Sequence, residues 1–155
     1  MMKKSLLIPL LLALSVTIFA ADKPDFSGEW VLNVAKSDFG PLPGPTLMTQ
    51  QIEHKEPALK VRFHSEGMQG SMDGEVAYTT DGAECKNQIG DVDITSTLTW
   101  EGVSLKVKSV LDIQGMSIDA EDTWTLSEDG QTITVDRFMS SSMGDAEQTL
   151  IMEKQ

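Results

Sequence analysis

Leu98-Thr99-Trp100-Glu101-Gly102-Val103-Ser104-Leu105-Lys106-Val107-Lys108-Ser109-Val110-Leu111-Asp112-Ile113-Gln114-Gly115-Met116-Ser117-Ile118 alternates apolar and polar side chains around two glycine-bearing turns. A period of two puts successive side chains on opposite faces of a strand, so this is a pair of hairpins with one apolar face. A two-residue turn at Glu101-Gly102 sets Trp100 opposite Val103, Leu98 opposite Leu105 and Ser96 opposite Val107. A turn at Gln114-Gly115 pairs Ile113 with Met116, Leu111 with Ile118, Val107 with Asp122 and Leu105 with Trp124. Glycine supplies the positive φ that such turns require.

The pattern extends in both directions. The loop Glu128-Asp129-Gly130-Gln131 pairs Leu126 with Ile133, Trp124 with Val135 and Asp122 with Arg137. A turn at Met143-Gly144 pairs Met139 with Gln148, Arg137 with Leu150 and Val135 with Met152. A slip of two residues at any turn changes partners and leaves every side chain on its face. Strands are predicted over 29–35, 46–54, 58–66, 74–80, 91–100, 103–113, 116–127, 132–141 and 145–153. The Pro-rich stretch Ser37–Pro45 is a connector, and 81–90 reads as a polar loop around Cys85. Short connections make neighbours antiparallel, giving an all-β, up-and-down meander of eight to ten strands. One apolar face over that many strands must be covered, and closure into a barrel covers it.

The start of the chain has a different character. Lys3 and Lys4 precede an apolar run from Ser5 to Phe19, which ends at Ala20-Ala21. That order is expected of a secretory signal peptide, residues 1–21, cleaved after Ala20 or Ala21. The remaining 22–155, about 134 residues, make one domain large enough to build a core without disulfides. The expected destination is the periplasm or the exterior, with no stable membrane insertion once the signal is removed. The whole chain has 12 basic and 24 acidic residues. Loss of Lys3 and Lys4 leaves 10 against 24, a charge of −14, which opposes nucleic acid and anionic lipid as partners. Cys85 is the single cysteine, so no internal disulfide can form.

Chemistry-bearing motifs are sparse. There is no Gly-x-Ser-x-Gly elbow, no phosphate loop and no metal-ligand spacing, and an enzyme is not expected. His54 and His64 flank the Glu56-Pro57 hairpin with opposite parity, which puts them on opposite faces and argues against a shared metal. Asp122 and Arg137 meet on the inner face. They either hold each other as a structural ion pair, or Arg137 grips a ligand carboxylate with its planar fork while Gln148, Ser96 and Ser109 add polar contacts. Trp124, Trp100 and Tyr78, with Phe63, Leu105, Leu111, Met116, Met139 and Met152, either line a pocket or fill the barrel.

Phe26-Ser27-Gly28-Glu29-Trp30-Val31-Leu32 carries a Phe-x-Gly-x-Trp-x-Leu pattern that resembles the opening strand of lipocalins and fatty-acid-binding proteins, the calycin superfamily. The resemblance implies that Gly28 and Trp30 are structural, with the indole plugging one barrel end beneath a basic residue from a late strand, Arg137 or else Lys154. With Ala35-Lys36-Ser37-Asp38-Phe39-Gly40 and the closing Glu153-Lys154-Gln155, the chain also resembles exported bacterial proteins described only as lipocalin-like. The helix-turn-helix lid of fatty-acid-binding proteins has no counterpart in the proline-rich connector. The expected function is binding of a small hydrophobic molecule, including one with a fatty-acid-like carboxylate, without a cofactor. The alternative is a filled barrel acting as a structural or protein-interaction module of the envelope.

Overall fold

The computed structural model describes residues 22–155, so the signal peptide expected over residues 1–21 lies outside the described residues. Ten strands follow one another: β1 (Gly28–Leu32), β2 (Leu47–Lys55), β3 (Ala58–Gly67), β4 (Gly70–Thr79), β5 (Cys85–Ile89), β6 (Val92–Glu101), β7 (Ser104–Ile113), β8 (Met116–Leu126), β9 (Thr132–Ser141) and β10 (Gly144–Lys154). No helix occurs among the described residues. Each strand pairs antiparallel with its chain neighbour except at β4 and β5. β1 also pairs with β10, and the sheet runs β4-β3-β2-β1-β10-β9-β8-β7-β6-β5. The result is a nearly closed barrel with β4 and β5 facing each other.

Two hairpins have the predicted register. Ile113 faces Met116 and Leu105 faces Trp124, with Gln114 at φ 54° and Gly115 at φ 88°, the two positive values a type I′ turn requires. Asp122 faces Arg137, and Trp124 faces Val135. Two other hairpins are shifted by two residues. Trp100 pairs with Leu105 and Leu98 with Val107, because Gly102 (φ 62°) occupies the first central turn position and Val103 the second. Glycine at the first position is the requirement of a II′ turn. At the last hairpin Met139 pairs with Ala146 and Arg137 with Gln148, since Ser142-Met143 forms the turn and Gly144 opens β10. Parity survives both shifts, as a period of two dictates.

The inner face is the core. Leu98, Leu105, Val107, Trp124, Ile133, Val135, Leu150 and Met152 are buried, joined from the first strands by Trp30, Leu32, Ile52, Leu59 and Val61. Each such side chain contributes roughly 1.5–3 kcal/mol by leaving water. Lys106, Lys108 and Glu121, their neighbours of opposite parity, form ion pairs on the outside.

β5 corrects the reading of 81–90 as loop. Its residues look loop-like because they do the work of an edge. Lacking a backbone ladder to β4, the strand bridges the seam with side chains. Asn87 accepts from the Ala77 amide (2.9 Å) and donates to the Ala77 carbonyl (3.0 Å), and the Thr79 amide donates to Cys85 Sγ at 3.2 Å. These bonds satisfy backbone groups that an open edge would leave exposed. Gly74 completes the seam from within: a Cβ there would lie 2.5 Å from the Phe63 ring, so its absence lets that ring lie across β4 toward Ile89.

The connector after β1 runs along β10. Asp38 and Thr149 exchange backbone hydrogen bonds of 2.8 Å, and Ser37 Oγ accepts from the Ile151 amide. Gly40 fits here because any Cβ would strike the Glu147 carbonyl.

Candidate functional site

One end of the barrel is sealed. Phe26 and Trp30 are fully buried, and the Trp30 indole donates to the Phe26 carbonyl at 3.0 Å. Phe26 stacks on Trp100 (6.0 Å, 8°) and on His54 (5.8 Å), and meets Trp124 edge-on at 5.9 Å. The basic residue over Trp30 is Lys154, 5.4 Å from the ring, and Arg137 is not at that level. Trp30 and Lys154 are paired across β1 and β10. Gly28 makes room, since a Cβ there would lie 2.8 Å from Lys154 Cε.

Glu56 organises the rim of this plug. It accepts from His54 Nε2 (2.8 Å), Thr80 Oγ1 (2.8 and 2.9 Å) and Trp100 Nε1 (3.1 Å), with Lys23 at 3.6 Å. His54 Nδ1 accepts from the Phe26 amide, which assigns the ring proton to Nε2. Burial pushes the Glu56 carboxyl upward, but the bonds from His54, Thr80 and Trp100 and the charge of Lys23 outweigh it and hold the group below its ordinary value of 4.5. A depressed carboxyl stabilises the fold above that ordinary value, and the stability is lost as pH falls through the folded one. Urea midpoints measured from neutral pH down to acid are expected to fall more gently for Glu56→Gln than for the native chain. Parallel acid limbs would show that Glu56 is not linked to folding.

His64 lies on the other face, bonded to Asp73 (2.8 Å) and Glu66 (3.2 Å), so the two histidines do not converge.

Beyond the plug the barrel is hollow. A cavity of ≈ 310 Å³ is bounded by residues from β2 to β10. Its walls are mainly apolar: Val61, Val76, Ile94, Val107, Val135 and Leu150, with Trp124 and Phe63. Met48, Met72 and Met139 line it toward the end opposite the plug, where the tips of the β3–β4 and β9–β10 hairpins carry the exposed Met68 and Met143.

The polar part of the wall is small. Arg137 donates from Nε to Asp122 Oδ1 (2.8 Å) and from Nη2 to Oδ2 (2.7 Å), a bidentate fork on one carboxylate. Asp122 retains 10% of its side-chain exposure and Arg137 31%; both border the cavity. Burial pushes the guanidinium down in pKa, and the Asp122 charge more than offsets that. The Tyr78 phenol is pushed up to about 12, first by burial and then by Asp122, so it stays a neutral donor. Ser96 and Ser109 satisfy each other at 2.7 Å. The Trp124 indole N–H is buried without a partner among the described residues.

Of the predicted site residues, Arg137, Asp122, Tyr78 and Trp124 converge on the cavity. Trp100 and Gln148 do not. Trp100 belongs to the plug. Gln148 sits opposite Arg137 but turns its amide to the Phe39 carbonyl at 3.1 Å, holding the connector. Residues the sequence did not single out, Ile89, Ala120 and Met72 among them, complete the wall. Ile89 could have been found by the alternation of Cys85, Asn87 and Ile89.

An up-and-down ten-stranded barrel, plugged by a first-strand tryptophan and hollow beyond it, is a calycin-like barrel. Solved structures share this fold. Zebrafish ileal bile acid-binding protein complexed with cholic acid is similar, with TM-score 0.54 and 12% identity over 84% of this chain and 98% of that one. A secretory abundant heat soluble protein of Ramazzottius varieornatus is similar with TM-score 0.55 and 15% identity, covering 83% and 94%. Secretory abundant heat soluble protein 4 of that organism gives 0.52 and 15%, covering 84% and 94%. No family model and no curated protein matches the sequence.

Proposed function

We propose that this protein is exported and binds a small, mainly apolar molecule inside its barrel. The observation that carries the reading is the ≈ 310 Å³ cavity, walled by aliphatic and aromatic side chains and holding a single ion pair. That volume is at the lower end of ligand pockets, and an apolar lining with few polar groups is their usual composition. Enclosure supplies the affinity by removing apolar surface from water. The similar zebrafish barrel holds cholic acid, which supports the same use of the fold here. Export rests on the Lys3-Lys4 start, the apolar run and Ala20-Ala21. The reading is of binding: Arg137 and Asp122 neutralise each other, Ser96 and Ser109 bond each other, and the buried side-chain N–H without a partner among the described residues is that of Trp124.

Ala120 tests it. This small residue is buried at the cavity wall between β7 and β9. Ala120→Phe puts a ring into the open space, and is expected to weaken binding of the neutral fluorophore Nile red at least tenfold while far-UV circular dichroism is unchanged. Unaltered binding by the folded variant would place the apolar site elsewhere. Native mass spectrometry of protein gently purified from its own cells should show a bound lipid-like mass; an empty native chain that also ignores Nile red would end the proposal.

A further inference from the structure

The cavity wall contains one cation and one anion, and they are already joined. Among the described residues that line it, Arg137 and Asp122 are the two that carry charge, and Tyr78 is held neutral. The fork between them uses two guanidinium N–H groups and both carboxylate oxygens. The pair is therefore electrically balanced before any ligand arrives. The outer surface groove that Arg137 also borders is lined by Glu121, Asp136 and Glu147, and the Lys108 ammonium is already paired with Glu121 at 3.3 Å.

A ligand carboxylate entering this cavity would add a second anion beside Asp122, which keeps only 10% of its side-chain exposure. Like charges at one site oppose ionisation, and an uncompensated buried charge is costly. At Arg137 it would find only the Nη1/Nη2 edge that Asp122 leaves free, and two carboxylates would then share a single guanidinium charge. A neutral oxygen meets neither obstacle. Guanidinium has five N–H donors, so three remain beyond the two engaged by Asp122. A carbonyl or hydroxyl oxygen can accept from these. A hydroxyl can also donate to a remaining lone pair of Asp122, so an alcohol fits both members of the pair.

We propose that the cavity selects an uncharged apolar molecule bearing a hydroxyl or carbonyl oxygen and discriminates against carboxylates, with Asp122 as the residue that sets this preference. The inference rests on the binding role proposed above and names the class of head group. It replaces the fatty-acid-like carboxylate expected from Arg137 alone. The arginine is present, but its charge is committed across the β8–β9 ladder, where Asp122 and Arg137 are directly paired.

The test is displacement of Nile red from the processed protein at neutral pH by decanol, methyl decanoate and decanoate, which share one chain and differ in the head group. Decanol and the ester are expected to displace the dye at concentrations at least tenfold lower than decanoate. In Asp122→Asn the guanidinium loses its counter-charge, and decanoate is expected to gain at least tenfold. Decanoate matching or surpassing decanol on the native protein would overturn the inference while leaving the binding role intact. A native preference for decanol with no gain for decanoate in folded Asp122→Asn would remove Asp122 from the selective role. If Nile red and all three compounds fail to bind, the binding role falls and this inference with it. The native comparison needs no variant, so it decides the head group even if Asp122→Asn does not fold.

Discussion

Trp30→Ala is expected to lower the stability of the barrel by about 4 kcal/mol, the middle of the range for removing a buried tryptophan or phenylalanine. The indole is 1% exposed and is one of the largest side chains wholly inside. Its removal opens a void beneath Lys154, strands the Phe26 carbonyl that accepts from Nε1, and takes away the ring face on which the Lys154 ammonium rests. A domain of this size has about 5–15 kcal/mol in total, so the loss is a large fraction of what holds it folded. Urea denaturation followed by far-UV circular dichroism measures it. Trp100→Ala is the internal comparison. That ring is only partly buried against the plug and should cost clearly less. Equal losses at the two positions would mean that Trp30 is not the keystone of the closed end.

The second large effect concerns the ion pair. Asp122→Ala leaves the Arg137 guanidinium without its partner, and breaking a buried pair from one side costs about 3–5 kcal/mol. Arg137 borders the cavity and keeps 31% of its side-chain exposure, so water reaches it and the expected loss is reduced to about 2–3 kcal/mol. Asp122→Leu combined with Arg137→Met removes both charges and keeps the volume apolar. That double variant is expected to recover most of the stability, because the desolvation cost of both ions goes with them. The coupling between the positions is read from the double-mutant cycle. If the double variant is as unstable as Asp122→Ala, the pair is not what the single substitution disrupts.

These two sites show where the sequence was legible. Trp30 announced itself through Phe26-x-Gly28-x-Trp30, and Gly28 is explained by the closeness of Lys154. The Asp122–Arg137 pairing followed from counting outward from Glu128-Asp129-Gly130-Gln131, and the strands meet in that register. Counting worked less well where one glycine could sit at more than one position within or just after a turn. Gly102 and Gly144 each allowed two registers differing by two residues, and alternation is blind to that difference. The strand at Cys85–Ile89 was hidden for another reason. Asn87 and Cys85 use their side chains to close a seam, and polar residues near glycine and aspartate have the composition of a loop.

The sequence by itself determined the architecture and the side of the sheet on which each residue lies. Both follow from a period of two and from short turns, which are local properties of the chain. Only the tertiary structure decided the height of each inner residue along the barrel axis. Trp100, Gln148, Arg137 and Lys154 all have the inward parity. The closed barrel puts Trp100 and Lys154 at the plug, turns Gln148 to the connector, and leaves Arg137 beside the cavity. Strand stagger and closure between β1 and β10 set those heights, and both arise from pairing between segments more than a hundred residues apart in the chain.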